Sequence, residues 1–159
     1  MKKRMWIGML VLLACTACVS GAPRPEGRSG ETVVRELLAL NWIPVKLPHL
    51  EPGARMSITE GDLAKPGPVV FYLYLPANYT FPAHFHDTAE ELRILSGVVY
   101  LGGMDGHPFD RAAGKAHGAG SVHQLPPHTP HWAFTNTDSV VLEVRTTGPY
   151  SIHWMENPQ

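Results

Sequence analysis

The chain has 159 residues, a formal net charge of −1, 44% hydrophobic residues and only 17% charged residues. This length suits one domain with a single hydrophobic core, and the near-neutral charge argues against a nucleic-acid partner. The 15 glycines and 15 prolines are scattered along the chain, which favours an all-β domain of short strands joined by turns.

Residues 1–18 have the pattern of an export signal. A basic start precedes an apolar stretch, 5–14, that is too short to span a bilayer, and small residues follow it. The sequence "LLAC" resembles the lipobox of bacterial lipoproteins, which predicts a lipid anchor on Cys15, with Cys18 as the alternative. We therefore predict a membrane-anchored lipoprotein that faces the periplasm or the outer surface.

Ordinary cleavage near Gly21 or Ala22 is the alternative, and it would give a soluble periplasmic or secreted protein. The chain contains two cysteines, and both lie in this leader. The folded domain therefore has no disulfide and no thiolate ligand, so any metal site must use histidines and carboxylates.

The chain after the leader divides into a linker and one domain. Residues 19–31 are small, polar and rich in Gly and Pro, which predicts a flexible tether. The domain then covers 32–159. Its first segment, 32–42, has apolar residues at spacings that fit a short helix, although a strand extension is also compatible with so brief a run.

Apolar runs of strand length follow, each bounded by Gly, Pro, Asn or Asp. Strands at such short intervals indicate a sandwich or barrel. The glycine-rich segment 102–120 is long for a hairpin, and we expect a surface excursion at one end of the barrel. The runs are "RMSIT", "PVVFYLYLP", "EELRILSGVVYL", "SVHQLP", "HWAFTN", "SVVLEVRT" and "SIHWM".

The stretch "PAHFHDTAEELRILSG" concentrates side chains that bind metals. His84 and His86 are two residues apart, so in an extended strand they leave the same face, with Cα atoms about 6.6 Å apart. Glu90 follows a short turn and can return from the next strand as an oxygen ligand. A fourth donor, His131, opens a later apolar run. These residues predict a metal site inside a β-barrel.

The same residues resemble the two motifs of the cupin superfamily. His84, His86, Glu90 and Gly97 match His-x-His-x3-Glu-x6-Gly, and the second motif, Gly-x5-Pro-x-Gly-x2-His, is matched at Gly120, Pro126 and His131. The resemblance covers about residues 42–157, and the sequence of this region is similar to those of small single-domain bacterial cupins. It implies an RmlC-like jelly roll, a double-stranded β-helix, that holds a divalent metal through three histidines and one glutamate.

Two positions depart from the family pattern. The glycine that begins the first motif is Asn78 here, and the glycine inside the second motif is His128. Both family positions lie in turns, and Asn and His are among the non-glycine residues that enter positive φ most readily, so the turns can persist. His128 lies three residues from His131, which makes it a candidate auxiliary or proton-transfer group, although a solvent-facing turn residue is the simpler interpretation.

Glu91 competes with Glu90 for the ligand position. Only Glu90 has the family spacing to Gly97, and successive residues of a strand point to opposite faces, so Glu91 is expected to face outward. The histidines at 49, 107, 117 and 153 lack a paired donor at metal spacing and are interpreted as surface or turn residues. His123 alternates with Val122 and Gln124 in a predicted strand; it could line a cavity, but a core histidine with satisfied hydrogen bonds is the simpler interpretation.

Three imidazoles and a carboxylate suit a first-row divalent ion, and six-coordination would leave two positions open. The resemblance implies Mn, Zn, Cu, Ni or Fe and a small oxygen-bearing organic substrate, with dioxygenase-like, isomerase or related activity. A non-catalytic small-molecule or metal sensor using the same site is the alternative, and a structural metal is a third hypothesis.

Export and assembly add two expectations. Fe(II) is harder to maintain outside the cytoplasm, where Cu(II) and Zn(II) bind such donors more tightly, so export disfavours ferrous chemistry. Cupins often pair through their sheets, and the aromatic strand "VVFYLYLP" could supply the face of a homodimer.

Overall fold

The computed structural model describes residues 37–155. The predicted export signal, the candidate lipid anchors at Cys15 and Cys18 and the linker 19–31 therefore lie outside the described residues. Residues 32–36 of the segment 32–42 also lie outside them, and its described part, 37–42, begins with helical residues 37 and 38. Within 37–155, no helix is long and apolar enough to cross a membrane.

The described chain is built from short antiparallel strands with turns between them. A single turn of 3-10 helix, Arg111–Ala113, begins after Asp110, whose side chain accepts a hydrogen bond from the Ala112 N–H. The strands are β1 (Ile43–Pro44), β2 (Arg55–Glu60), β3 (Gly67–Leu75), β4 (Thr80–Phe85), β5 (Glu90–Ser96), β6 (Val98–Gly102), β7 (Lys115–Gly118), β8 (Val122–Leu125), β9 (His131–Thr135), β10 (Val140–Gly148) and β11 (His153–Trp154).

The strands form two sheets that face each other. One sheet has the order β1-β2-β3-β10-β5-β8 and the other β11-β4-β9-β6-β7. Consecutive strands repeatedly lie in opposite sheets, as in the pairs β3 and β4, β4 and β5, and β8 and β9. The predicted all-β double-stranded β-helix is therefore confirmed.

The main core lies between the sheets. Inward residues at alternate positions of β3, β5, β6 and β10 are almost fully buried, which is the two-residue period expected of strands with one face on a core. A smaller cluster of Ala83, Trp132 and Phe134 lies on the other face of the five-stranded sheet, where Phe109 and Tyr100 cover it.

The segment 102–120 differs from its expected form. It contains the 3-10 turn and also β7, which pairs with β6 as an edge strand. β7 has only four residues, Lys-Ala-His-Gly, and none of them is buried. Because these residues form no apolar run, the sequence does not indicate a strand here. The excursion itself is confined to 103–114, where Phe109 packs against Trp132.

Candidate metal centre

The four predicted ligands come from three strands that end near one another. His84 lies in β4 and pairs directly with His131 at the start of β9, while Glu90 is the first residue of β5. His86 follows the last residue of β4. All four residues are at least 95% buried, so the fold has withdrawn four polar groups from water at one place.

Each histidine is oriented by a backbone carbonyl. Nδ1 of His84 bonds the Pro82 carbonyl at 2.7 Å, and Nδ1 of His86 bonds that of Ser151 at 2.6 Å. Nδ1 of His131 bonds the Thr129 carbonyl at 3.0 Å. A carbonyl oxygen only accepts, so each Nδ1 carries the hydrogen and each Nε2 keeps its lone pair.

The three rings then converge. One ligand nitrogen from each histidine lies within 4.8 Å of the other two, which makes this group able to hold a metal ion. Metal-binding histidines commonly donate their other ring N–H to a carbonyl in this way, and the hydrogen bonds at Nδ1 fix both the tautomer and the ring orientation. The arrangement suits a divalent ion bound through imidazole nitrogen.

Burial keeps these imidazoles neutral. It lowers the pKa of His84 to about 2, and the nearby His131 contributes in the same direction. Burial is also the main cause of the lowered pKa of His86 and of His131. Neutral imidazole is the form that binds metals, so no proton has to leave these rings before an ion enters.

The Glu90 carboxylate lies beside two of the rings. Its Oε2 is 3.4 Å from His86 Nε2 and 3.5 Å from His131 Nε2. Burial raises the pKa of Glu90, while the neighbouring His131 and a hydrogen bond from Tyr150 oppose the shift. A cation bound at this point would supply the positive charge that the buried carboxylate lacks.

Tyr150 is a site residue that the sequence interpretation missed. Its hydroxyl donates to Glu90 Oε1 and lies 3.2 Å from His86 Nε2, and its ring stacks on His86. Burial, followed by the charge of Glu90, raises its pKa well above the ordinary tyrosine value. Tyr150 is 60 residues from Glu90, so no local spacing indicates it; the only signal is an aromatic residue after the long strand β10.

The two predicted non-glycine turns are confirmed. Asn78 has φ of 55° and His128 has φ of 60°, both in the left-handed region. The His128 side chain is 64% exposed, and its Nδ1 lies 3.6 Å from Asp87 Oδ1. His128 is not part of the three-histidine group, and the solvent-facing interpretation of this residue fits its position.

An exposed network lies behind His86. Asp87 Oδ2 accepts hydrogen bonds from the Ser151 hydroxyl at 2.7 Å and from His153 Nε2 at 2.9 Å. The Asp87 N–H in turn donates to Ser151 Oγ. Because the Ser151 carbonyl holds the His86 ring, this network fixes one of the candidate ligands from outside the barrel.

Glu91 faces away from the histidines, as predicted. Its carboxylate accepts from Gln124 and lies 3.4 Å from the Arg93 guanidinium on the outer face of the six-stranded sheet. His123 is partly buried, and its ring contacts that of His117 edge to face with centroids 4.1 Å apart. Its Nε2 is buried without a hydrogen-bond partner among residues 37–155. The expectation that both ring nitrogens of a buried His123 would be hydrogen-bonded is therefore not met.

A cavity of about 320 Å³ leads from the histidines toward solvent. Its buried end is polar, formed by the three histidines, Glu90 and Tyr150. Its walls are apolar side chains from both sheets, and Pro44, Val45, Lys46 and Leu47 contribute the outer part. The volume is at the lower end of the range for small-molecule sites.

Comparison with known proteins places the fold among the cupins. No family model and no curated protein sequence matches the chain. Among solved structures, the polyketide cyclase RemF from Streptomyces resistomycificus superposes with a TM-score of 0.63 at 17% identity, covering 77% of this chain and 84% of RemF.

Two further structures are similar. The DMSP lyase DddQ from Ruegeria pomeroyi DSS-3 gives a TM-score of 0.57 at 20% identity over 75% of this chain, which spans 61% of DddQ. The Cnp3 cupin domain from Schizosaccharomyces pombe gives 0.52 at 12% identity over 70% of each chain. At these identities the likeness concerns the fold, and the protein has the RmlC-like, double-stranded β-helix fold of the cupins.

Proposed function

We propose that the protein is a metal-dependent enzyme that acts on a small oxygen-bearing organic molecule at an open 3-His/1-Glu site. One observation carries the proposal: three neutral imidazoles aim their Nε2 atoms at a common point at the buried end of a 320 Å³ cavity. A structural ion has no need of such a cavity, whereas a substrate does.

His84, His86 and His131 would supply three nitrogen ligands and Glu90 one oxygen ligand to Mn, Zn, Cu, Ni or Fe. A bound ion of this class supplies Lewis-acid or redox chemistry to an oxygen-bearing ligand. The chain's own residues do the rest: the apolar walls exclude water, and the Tyr150 hydroxyl holds a proton at Glu90 Oε1. Tyr150 is therefore placed to orient the carboxylate.

The names of the similar structures support an enzyme at the level of the fold. RemF is described as a polyketide cyclase and DddQ as a DMSP lyase, so cupin folds that resemble this one serve in catalysis. These reactions are those of RemF and DddQ. Identities of 17% and 20% do not assign the substrate of either protein to this chain.

The test begins with metal analysis of protein purified from its native compartment. We expect about one divalent ion per chain, lost in His131→Ala and retained in His107→Ala, whose histidine is exposed and pairs only with Asp105 among the described ion pairs. Turnover under air that is abolished by His131→Ala, with unchanged circular dichroism, supports the enzyme. Ligand capture without conversion across all five metals would instead identify a binding or sensor module, and absence of bound metal would overturn the proposal.

We also propose export with a lipid anchor on Cys15, or on Cys18 if the first is not used. The support is the basic, apolar and small-residue order of residues 1–18 together with "LLAC". Palmitate labelling of the Cys15→Ala and Cys18→Ala variants distinguishes the two cysteines. Labelling of neither cysteine, with a mature N-terminus near Gly21, would favour a soluble exported protein.

A homodimer through the six-stranded sheet is a separate proposal. β3, the aromatic strand, lies in that sheet, and Tyr74 is only half-buried against Trp42. Light scattering of the purified domain measures its mass directly. A monomer mass at all concentrations would overturn this proposal and leave the metal site unaffected.

A further inference from the structure

The cavity that ends at the histidines is polar at one end only. Of the described residues that line it, fifteen are apolar, and the polar ones are the four candidate ligands, Tyr150 and Lys46. Lys46 is exposed, so it belongs to the outer rim. Between the buried polar end and this rim, the described walls offer hydrocarbon side chains. They include Phe71, Leu73, Leu92, Leu142, Val144 and Ile152.

The polar groups at the buried end are already engaged. Each Nδ1 bonds a backbone carbonyl, and the Tyr150 hydroxyl donates to Glu90. A molecule with hydroxyl groups along its length would bury them against Leu and Val side chains, where none could form a hydrogen bond. Unpaired buried polar groups cost more than apolar contacts return, so such a molecule is rejected.

We infer that the substrate is a small molecule with one metal-binding, oxygen-bearing head and a hydrocarbon body, and that polyhydroxylated molecules such as sugars are excluded. The head lies against the three histidines, and the body runs along the apolar walls to the rim at Pro44–Leu47. This inference rests on the proposed function, because it assigns the head to an open metal position.

The rim segment 44–47 is where the length of the hydrocarbon body would be selected. Val45 is held by a hydrogen bond from its N–H to the Ala54 carbonyl, and Leu47 is 38% exposed while also lining the cavity. A polar group at Leu47 would face the end of a long hydrocarbon body and leave a short ligand untouched. Leu38, which is 81% exposed and outside the cavity lining, offers a matched control.

The experiment titrates straight-chain alkyl hydroxamates, from acetohydroxamate to octanohydroxamate, into Co(II)-loaded protein and follows the visible spectrum and the heat of binding. Acetohydroxamate carries the head alone. We expect affinity to rise about fourfold for each added methylene until the chain reaches the rim, with a progressively more negative heat-capacity change. A polyhydroxylated hydroxamate of equal length should bind no better than acetohydroxamate.

Two variants locate the body. Leu47→Asp should lower octanohydroxamate affinity by about tenfold and leave acetohydroxamate binding within about twofold, whereas Leu38→Asp should change neither. If acetohydroxamate binds but affinity is flat with chain length, or the polyhydroxylated ligand binds best, this inference is wrong and the open metal site stands. If Co(II) is held but acetohydroxamate leaves its spectrum unchanged, the site is closed and the proposed function fails.

Discussion

At the scale of single residues, burying a polar side chain costs free energy of folding unless hydrogen bonds replace its contacts with water. These hydrogen bonds determine what each buried polar residue contributes to stability. Thr135 is an example outside the candidate site. It is fully buried, its Oγ1 accepts from the Tyr79 N–H at 2.9 Å, and it donates to the Pro76 carbonyl. One hydroxyl therefore satisfies two backbone groups at the junction of β3 and β4.

Thr135→Val should consequently destabilise the protein by roughly 1–3 kcal/mol for each backbone group left unpaired, because valine keeps the shape and removes the hydroxyl. Thr59→Val is the control, since Thr59 is exposed and makes one 3.3 Å bond to the Val70 carbonyl. Urea unfolding followed by tryptophan fluorescence measures both free energies. Equal losses in the two variants would show that the buried bonds contribute nothing special.

Asp87 provides a second residue-level prediction. It holds Ser151, whose carbonyl orients His86, so Asp87→Ala should weaken divalent metal binding by about tenfold without removing a ligand. Asp105→Ala is matched, because Asp105 is also exposed and pairs with a histidine, His107. Competition with a chromogenic chelator gives both affinities. A wild-type affinity in Asp87→Ala would mean that the backbone alone fixes His86.

At the scale of strands and turns, Gly97 separates β5 from β6. Its φ of +75° is in the left-handed region, and a Cβ there would overlap the Ser139 carbonyl oxygen. Gly97→Ala should therefore destabilise the protein by about 2 kcal/mol or more, from the positive φ and the overlap together.

Gly118→Ala is the control for the turn. Gly118 lies in β7 without a positive φ, and a Cβ there meets nothing within 4 Å. That variant should be neutral or slightly stabilising, because alanine restricts the unfolded chain. Thermal unfolding of both proteins makes the comparison, and a stable Gly97→Ala protein would contradict the close approach of the β5–β6 turn to Ser139.

The strands also show which features of the fold and of the candidate site could be predicted from the sequence. Apolar runs bounded by turn residues predicted β3 and β10, and the two-residue period of a strand put His84 and His86 on one face, because those signals are local. β7 was missed because its four residues form no apolar run, and Tyr150 was missed because Glu90 and His86 lie 60 and 64 residues away in the chain. Contacts that only the closed barrel brings together leave no spacing to detect.

At the scale of the whole molecule, the candidate site depends on the order of strands in both sheets. β4 and β9 are neighbours in one sheet, β5 lies in the other, and Tyr150 follows β10. The histidines and Glu90 can converge only when the two sheets have closed over the core. Closure of the barrel therefore brings the site together, and the hydrophobic cluster between the sheets is a separate set of residues from the ligands, although the His84 ring contacts Phe81 of that cluster.

Metal removal tests that separation. The fifteen residues of the main core are apolar and include none of the candidate ligands, so the metal-free protein should stay folded. Metal in excess should stabilise it by about 2.7 kcal/mol at 100 times the dissociation constant, which shifts the melting temperature by several degrees. Calorimetry with metal and after chelation measures the shift, and in His131→Ala the two melting curves should coincide. Unfolding on chelation would instead assign the ion a structural role, because the barrel would then need its charge to hold Glu90 and the histidines together.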